Sequence, residues 1–408
     1  MNSNRVVITG LGLVTPIGIG IEPFWEAATS GKNGVAPLTC IDTTEYRTKT
    51  GGEVKNFSPR DYLSEEQIDH MGRSSQFAVA AAGMAVADAQ LNLKAVNSYR
   101  FGVSVGTTMG EPQILEQGIK AKYEHDSQEA IPSHLPRQYP CGVIPAHIAK
   151  TYGAKGPNII IPTACAAGNY AIGYAYDLMQ LGRMDIAIVG GTDPFSSIAF
   201  TGFNRLLATT NDIVRPFDLN RNGMAVAEGA GIMILETLSH ALARKAPIYA
   251  EVLGYGLGCD AFKMTIPDPS GTGGILALNR AIKNAGITPD QVSYLCAHGT
   301  GTKENDKSET LIAKEVFGER AYNIPMSSLK SMMGHTMGAA SAIEACACAL
   351  MIKRGTLLPT INYTDPDPDC DLDYVPNQAR EMDISIAISN AYAFAGNTSA
   401  LVIGRYKG

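Results

Sequence analysis

The sequence predicts an α/β fold in which a mainly parallel sheet is covered by helices on both faces. Short apolar runs that end in glycine turns alternate with alanine-rich, helix-like stretches, and this alternation is typical of parallel sheets with helical crossovers. Of the 408 residues, 45% are hydrophobic and 18% are charged, which indicates a globular chain with a large core. No run of about 18 apolar residues occurs, so we predict no transmembrane helix.

The elements of this fold follow from the apolar runs and the alanine-rich stretches, taken in chain order. The predicted strands cover residues 5–12, 101–106, 158–161, 186–189, 231–235, 250–252, 292–296, 384–388 and 400–403. The predicted helices cover residues 76–91, 166–181, 274–285, 308–316 and 339–354. Small side chains on these helices favour close packing against a sheet or another helix. Residues 109–139 are more polar and less periodic, so we expect them to form an insertion over the core.

A faint internal repeat runs through the chain. A strand followed by Gly-Thr occurs at residues 105–107 and again at residues 297–300, and a turn that leads into an alanine-rich helix also occurs twice. Self-similarity of this kind indicates two copies of one α/β unit. We therefore predict two similar halves that meet at a shared interface, with an N-terminal half over residues 1–250 and a C-terminal half over residues 251–408.

Charge and cysteine content narrow the class of protein. The net charge of −6 disfavours a nucleic-acid partner. The eight cysteines are scattered without the regular spacing of a disulfide framework, which favours a reducing compartment. The N-terminal residues lead directly into the first predicted strand and show no signal-peptide pattern. We therefore expect a cytoplasmic protein with neither a nucleic-acid nor a membrane partner.

Cys165 is the most informative residue of the chain. It follows a predicted strand and precedes a predicted helix, and its neighbours Ala166, Ala167 and Gly168 are too small to block a substrate. The sulfur would lie at the positive end of the helix dipole, which favours the thiolate and predicts a lowered thiol pKa. The alternative for an isolated cysteine is a buried structural role.

Two histidines occur in similar settings. His298 ends an apolar strand and precedes a Gly-Thr-Gly-Thr turn, and His335 lies in a glycine-flanked turn before an alanine-rich helix. Polar groups at strand ends are where α/β enzymes gather their functional side chains. Either histidine alone is more often a hydrogen-bonded structural residue, whereas the pair favours a site.

One cysteine and two histidines suit a reaction in which a thiolate carries an acyl group. The thiolate attacks a thioester, and two imidazoles can then hydrogen-bond an oxygen on which negative charge develops. Zinc is the competing use of these residue types, but the sequence contains neither a CxxC pair nor an HExxH motif, so we predict no metal. Residues 10–15 lack the third glycine of a dinucleotide site, and residues 365–369 favour a solvated turn over a calcium loop.

Three motifs together carry a resemblance to a known family. They are Thr-Ala-Cys at residues 163–165, His-Gly-Thr-Gly-Thr at residues 298–302, and Lys-Ser-x-x-Gly-His at residues 330–335. Their types and order resemble the β-ketoacyl-acyl-carrier-protein synthases, in particular the elongating type, and polyketide ketosynthases share the pattern. The likeness covers nearly the whole chain. It implies a thiolase-like fold with five αβαβα layers, and a dimer.

The resemblance also implies a role for each residue at the centre of the site. Cys165 would accept the acyl group. His298 and His335 would stabilise the enolate that forms when malonyl thioester loses carbon dioxide. Lys330 and Glu344 would orient the histidines and balance their charge.

Further positions of this resemblance concern binding of the substrate. The backbone N–H groups of Cys165 and Phe394 would form an oxyanion hole, and the Phe394 side chain would act as a gate. Thr300 and Thr302 would hold a phosphopantetheine arm. Met109 would border the acyl pocket.

The expected partner is an acyl carrier protein, which would supply the phosphopantetheine arm, and we expect no cofactor bound to the chain itself. The family commonly has basic residues before its first alanine-rich helix, whereas residues 64–73 are acidic here. Arg205 remains near the expected entrance and is the predicted carrier-docking residue. We therefore expect the docking patch to be rebuilt elsewhere or completed by a second subunit, either in a homodimer or in a heterodimer with a homologous, catalytically silent subunit.

A second departure concerns the turn around Phe394. Residues 393–398 read Ala-Phe-Ala-Gly-Asn-Thr, where the family usually has Gly-Phe-Gly-Gly-Thr-Asn. Two alanines in place of glycines remove backbone freedom. We expect them to restrict any movement of this turn.

The sequence therefore predicts an acyltransferase that joins a Cys165-bound acyl group to malonyl-acyl carrier protein by decarboxylative Claisen condensation, in fatty-acid or polyketide biosynthesis. An alternative is the ketosynthase subunit of a specialised type II polyketide-like complex that works with a silent homologous partner. A non-catalytic subunit is disfavoured because Cys165 and both histidines are present. Degradative thiolase chemistry is disfavoured because the corresponding C-terminal turn has no second cysteine, and Cys370 lies in a polar loop.

Overall fold

The computed structural model describes residues 5–408. The strands are β1 (Val6–Thr15), β2 (Gly18–Ile19), β3 (Ala36–Pro37), β4 (Thr50–Gly51), β5 (Phe101–Gly106), β6 (Asn158–Ile161), β7 (Ile186–Asp193), β8 (Gly229–Thr237), β9 (Ala250–Cys259), β10 (Tyr294–Cys296), β11 (Met326–Ser327), β12 (Thr356–Leu357), β13 (Arg380–Glu381), β14 (Ile386–Tyr392) and β15 (Asn397–Gly404). The α-helices are α1 (Ile21–Thr29), α2 (Glu65–His70), α3 (Arg73–Asp88), α4 (Pro112–His125), α5 (Leu135–Gln138), α6 (Val143–Tyr152), α7 (Ala167–Gln180), α8 (Ser197–Arg205), α9 (Leu238–Ala243), α10 (Thr272–Asn284), α11 (Lys303–Phe317), α12 (Lys330–Met333) and α13 (Ala340–Arg354).

The main sheet has eleven strands, of which ten form two five-stranded halves with the same topology and the eleventh, β2, pairs with β1. The strand order is β1-β8-β7-β5-β6 in one half and β9-β15-β14-β10-β11 in the other. In each half four strands point the same way and one, β8 or β15, runs against them. The halves join where β1 and β9 pair antiparallel, with Val6 opposite Val252. This arrangement confirms the predicted pair of similar, mostly parallel halves, whereas the boundary at residue 250 stays a prediction.

Helices pack on the sheet in layers. Helices α3 and α6 contact one half of the sheet, α10 contacts the other half, and α11 packs on α10. Helices α7 and α13 contact strands of both halves and lie between them. These two central helices approach closely because a Cβ on Gly168 would lie only 2.5 Å from the backbone nitrogen of Ala342. The predicted five-layer α/β arrangement is confirmed.

Helix α13 is the centre of the core. Every residue from Ala340 to Ile352 is buried, and only Lys353 and Arg354 at its C-terminal end are not. A helix that is apolar or small on all faces has to lie inside the protein rather than on its surface. Its N-terminal end follows the turn that contains His335, so the most buried helix of the protein supports the candidate site.

Several elements escaped prediction. Helices α1, α4, α6 and α8 were not predicted, and the helical turns of α4 fall within the segment expected to be an insertion. Strand β11 was also missed because it has only two residues. The acidic loop at residues 365–369 is exposed except at Asp367, as the predicted solvated turn implies, and it also forms ion pairs, since Asp367 pairs with the buried Arg221 and Asp369 with Lys307.

None of the helices within residues 5–408 has both the length and the apolar character needed to cross a bilayer.

Candidate active site

Cys165 lies in a one-turn 3₁₀ helix, Ala164–Ala166, between β6 and α7. Ala164 has a φ of 50°, a left-handed conformation in a residue that carries a Cβ. The corresponding turn in the other half, Met337–Ala339, also begins with a left-handed residue, Met337 at 53°, and also leads directly into a central helix. The repeat seen in the sequence therefore has a counterpart in backbone geometry.

The Cys165 thiol is buried and neutral in this setting. Burial raises its pKa to about 11, and the charge of Lys330 and the backbone N–H groups of Phe394 and Cys165 oppose that rise. The prediction of a lowered thiol pKa was therefore wrong. The positive end of helix α7 favours a lower thiol pKa, as predicted, but removal of the sulfur from water raises the pKa by more.

His298 and His335 face each other beside Cys165. Their ring centroids lie 5.3 Å apart at 82°, edge to face. The sulfur of Cys165 and one nitrogen of each imidazole lie within 4.8 Å of one another. Three residues that are 133 and 37 positions apart in the sequence thus form one cluster, as the motifs indicated.

The two imidazoles are neutral but held differently. Burial and the charge of Lys330 lower both histidine pKa values well below the usual range. Nδ1 of His335 accepts the backbone N–H of Met337 at 3.1 Å, so Nε2 must carry the ring proton. Nδ1 of His298 is buried and has no hydrogen-bond partner within residues 5–408.

A Cys-His-His cluster of this size is also a donor set that zinc accepts in other proteins. A metal needs a free nitrogen lone pair from each histidine. At His335 the Nδ1 lone pair accepts the Met337 N–H, and Nε2 carries the proton. The neighbouring Lys330 ammonium further disfavours a cation. The residues present therefore do not fit a zinc ion.

Lys330 and Glu344 form an ion pair directly behind the histidines. Lys330 is the first residue of α12, Glu344 lies in α13, and both are fully buried. Burial raises the pKa of Glu344 to about 7, and the Lys330 ammonium opposes that rise. The positive charge of Lys330 acts on Cys165 and on both histidines, lowering the pKa of each.

Two buried carboxyl groups that the sequence analysis missed support the site. Glu309 accepts the backbone N–H groups of His298 at 2.8 Å and Gly299 at 2.7 Å, and burial raises its pKa to about 8. Asp193, at the end of β7, accepts the N–H groups of Met109 at 3.2 Å and Gly338 at 2.6 Å. Asp193 could have been found from the sequence, because it is an acidic residue among the small and apolar residues of a buried strand.

The cluster opens into a cavity of about 600 Å³. Cys165, both histidines, Thr300, Thr302 and Phe394 all line it. The hydroxyl oxygens of the two threonines lie 2.9 Å apart. The ring of Tyr392, another residue missed by the sequence analysis, meets the His298 ring edge to face at 6.0 Å.

Phe394 is held in a tight turn at the edge of the cavity. Its ring packs against Phe203, with centroids 5.3 Å apart, and its backbone N–H is directed at the Cys165 sulfur. Ala395 has a φ of 63°, which favours glycine, and its N–H donates to the carbonyl of Met264 at 2.8 Å. The turn is therefore tied to the loop that contains Met264.

Two predicted positions lie away from the cluster. Met109 is in the loop after β5 and is not among the residues that line the cavity. Arg205 is the last residue of α8 and is exposed, between the cavity-lining residues Phe203 and Leu206. Cys370, dismissed as a residue of a polar loop, is in fact buried, and its thiol pKa is raised to about 12.

Comparison with known proteins identifies the family. Residues 3–241 match the family described as beta-ketoacyl synthase, N-terminal domain, and residues 249–364 match beta-ketoacyl synthase, C-terminal domain. The chain belongs to the β-ketoacyl synthase family. It is 40% identical to a 3-oxoacyl-[acyl-carrier-protein] synthase 2 of Synechocystis sp. over 100% of this chain and 99% of the relative. A protein of the same description from Staphylococcus aureus is 41% identical over 99% of both chains.

Solved structures of ketosynthases share the fold. The ishigamide ketosynthase/chain length factor superposes with a TM-score of 0.96 at 42% identity, over 99% of this chain and 100% of that one. A type II polyketide synthase acyl-carrier protein in complex with its ketosynthase bound to the hexaketide gives a TM-score of 0.93 at 35% identity, over 100% of both chains. These likenesses confirm the predicted fold class and a condensing acyltransferase of fatty-acid or polyketide synthesis. The roles of individual residues stay predictions.

Proposed function

We propose that this chain extends an acyl group held on Cys165 by two carbons taken from malonyl-acyl carrier protein. The observation that carries the proposal is the cluster of one thiol and two neutral imidazoles within 4.8 Å, which lines a cavity of about 600 Å³. A neutral imidazole can donate a hydrogen bond to an oxygen that gains charge, whereas a metal is not required. The ion pair of Lys330 and Glu344 holds the thiol and the two imidazoles in position.

The first step is transfer of the acyl group. The Cys165 sulfur bonds to the acyl carbon, the bond from that carbon to the carrier's sulfur breaks, and the departing thiolate takes the proton that Cys165 loses. Because the thiol pKa is about 11, attack and proton removal occur together rather than from a stored thiolate. The N–H groups of Cys165 and Phe394 hold the tetrahedral oxyanion.

The second step forms the carbon–carbon bond. His298 and His335 hydrogen-bond the thioester oxygen of the malonyl group while its carboxylate leaves as carbon dioxide, and the electron pair of the broken bond makes an enolate. The enolate carbon attacks the acyl carbon on Cys165. The bond to the sulfur breaks, and Cys165 recovers its proton from solvent.

The carrier protein supplies the phosphopantetheine arm, and Thr300 and Thr302 hydrogen-bond it where they line the cavity. No further cofactor takes part. Arg205 receives the acidic carrier at the rim, and Met109 borders the acyl chain on the far side of Cys165. We place the protein in the cytoplasm, in agreement with scattered free thiols, and we divide it functionally at residue 250.

The active protein is a dimer. Strand β6 lies at one edge of the main sheet and exposes parts of Ile159, Ile160 and Ile161, and an apolar edge strand is open to pairing with a second chain. The ketosynthase/chain length factor relative is as similar to this chain as the two 3-oxoacyl-[acyl-carrier-protein] synthases are, at 42% against 40% and 41% identity. That equality supports a second candidate, a heterodimer with a homologous silent subunit in a polyketide pathway.

Mass spectrometry tests the proposal. After incubation with an acyl thioester, the peptide that contains Cys165 gains the acyl mass, and the Cys165→Ala variant does not. His298→Ala and His335→Ala keep the acylation but lose condensation with malonyl-acyl carrier protein by at least about 100-fold. Acylation of a different cysteine, or normal condensation by both histidine variants, contradicts the mechanism. Co-expression with a homologous subunit from the same source, followed by size measurement, separates the homodimer from the heterodimer.

A further inference from the structure

Asp193 is a buried carboxylate that joins two separate segments of the chain. It ends strand β7 and is 2% exposed. Its Oδ1 atom accepts the hydroxyl of Thr107 at 2.7 Å and the N–H of Met109 at 3.2 Å. Its Oδ2 atom accepts the N–H groups of Thr108 at 2.7 Å and Gly338 at 2.6 Å. Burial raises the pKa of this carboxyl to about 6, and the four hydrogen bonds, all from uncharged donors, oppose the rise.

The two segments come from different halves of the protein. Residues 107–109 follow β5, whereas Gly338 lies in the 3₁₀ turn Met337–Ala339 that leads into α13. A Cβ on Gly338 would lie 2.6 Å from the backbone nitrogen of Thr108 and 2.7 Å from Oδ2 of Asp193. Only glycine lets the two backbones approach this closely. The carboxylate therefore lies at a direct contact between the halves.

This contact bears on His335. The N–H of Met337 donates to Nδ1 of His335 at 3.1 Å. The next N–H along the chain, that of Gly338, donates to Asp193. Because the two N–H groups flank the Cα of Met337, holding one restricts the direction of the other. The left-handed φ of Met337, 53°, is unfavourable for a residue with a Cβ and has to be held by its surroundings, and Asp193 accepts one of the bonds that hold it.

The Asp193 carboxylate also acts on Cys165. Burial has the largest effect on the pKa of this thiol, and the negative charge of Asp193 adds to the rise while the charge of Lys330 opposes it. One buried group thus reaches the nucleophile through its charge and the His335 turn through a hydrogen bond. A residue that merely stabilises the fold would not change both properties.

We propose that Asp193 is a positioning residue of the condensation step, which holds residues 107–109 against the Met337–Ala339 turn so that His335 presents its Nε2 proton in one direction. The role rests on the proposed function, because it takes His335 to donate to the thioester oxygen. Transfer of the acyl group to Cys165 does not use His335. Asp193 therefore serves the second step of the reaction and not the first.

Asp193→Asn separates the two steps. The amide keeps one acceptor oxygen, but its NH₂ group faces N–H donors that need an acceptor. We expect kcat for condensation with malonyl-acyl carrier protein to fall by about 10- to 100-fold, the cost of a small misplacement, and KM for that substrate to change by less than about 2-fold. Acylation of Cys165 by an acyl thioester, followed by mass spectrometry, should keep its wild-type rate or rise.

Alkylation of Cys165 by iodoacetamide is a readout that does not depend on the reaction. Removal of the negative charge lowers the thiol pKa, so Asp193→Asn should be alkylated faster than the wild type at one fixed pH. An unchanged rate would remove the carboxylate from the surroundings of Cys165 and overturn the proposal. Cys346 and Cys348 are fully buried in α13, and their protection from the reagent shows that the variant is folded.

Glu111→Gln is the matched control. Glu111 is also fully buried and also accepts two backbone N–H groups, those of Ser74 at 3.1 Å and Ser75 at 2.8 Å. These partners lie in the first turn of helix α3 and not in the His335 turn. Loss of this carboxylate should therefore change stability without changing the ratio of condensation to acylation.

Asp193→Glu keeps the charge and both acceptor oxygens but shifts them by one methylene group. It should be alkylated like the wild type and should lose condensation selectively, by less than Asp193→Asn does. If Asp193→Asn exposes Cys346 and Cys348, this second variant decides, and any result other than a selective loss of condensation overturns the role.

Wild-type condensation by a folded Asp193→Asn overturns the positioning role, and so does an equal loss of acylation and condensation. Either result leaves the proposed function intact. A wild type that acylates Cys165 but forms no carbon–carbon bond overturns the proposed function, and the positioning role falls with it.

Discussion

The Nδ1 atom of His335 accepts the backbone N–H of Met337, two residues further along the chain. This single contact fixes the ring proton on Nε2 and thereby makes the imidazole a hydrogen-bond donor at that atom. His298 has no such contact within the described residues, so the two histidines are not equivalent.

A prediction follows for His335. Glutamine can place an N–H group near the position of Nε2, whereas alanine cannot. We expect His335→Gln to keep a measurable fraction of the condensation rate and His335→Ala to lose about 100- to 1,000-fold, the range found for removal of one donor from an oxyanion site. Steady-state condensation with malonyl-acyl carrier protein is the measurement. Equal losses in the two variants would show that His335 acts as something other than a donor.

The burial of Cys165 predicts its response to pH. Because only the thiolate reacts with iodoacetamide and the thiol pKa is about 11, the alkylation rate should rise about tenfold per pH unit from pH 7 to pH 9. The charge of Lys330 lowers that pKa, so Lys330→Met should slow alkylation at each pH. Peptide mass spectrometry follows Cys165 separately from the other seven cysteines. A rate that levels off below pH 8 would contradict the raised pKa.

Sequence reasoning reached the centre of the site because its signals are local. Cys165, His298 and His335 each lie at the end of an apolar strand or in a glycine-flanked turn, and such positions can be recognised without the fold. The pKa of Cys165 could not be predicted in the same way. Its direction depends on how deeply the fold buries the sulfur, and the groups that oppose the rise, Lys330 and the backbone N–H of Phe394, are also distant in the sequence.

The missed elements have a physical explanation too. Glu309 looked like one more charge on the polar helix α11, yet it is buried and holds the turn of His298. Strand β11 is only Met326–Ser327 and is recognised by its pairing with β10, not by its length.

The Lys330–Glu344 pair should affect stability in a way that depends on which partner is removed. Both side chains are fully buried, and removal of one leaves an unpaired group in the core. We expect Lys330→Met to lower the free energy of unfolding by about 3–5 kcal/mol, and the double variant Lys330→Met with Glu344→Gln to be less destabilised than that. Urea unfolding measures both. Additive losses in the double variant would show that the two groups do not depend on each other.

The turn that contains Phe394 gives a matched pair of variants. Ala395 has a φ of 63°, which strains a residue with a Cβ, whereas Ala393 has a φ of −113° and no such strain. Ala395→Gly should therefore stabilise the turn by up to about 1 kcal/mol, and Ala393→Gly should destabilise the protein by about 0.5–1 kcal/mol through lost backbone order. If closure of this turn limits turnover, Ala395→Gly should also change kcat for condensation while leaving alkylation of Cys165 by a small reagent unaltered. Equal effects of the two glycines on stability would show that the left-handed conformation of Ala395 carries no strain.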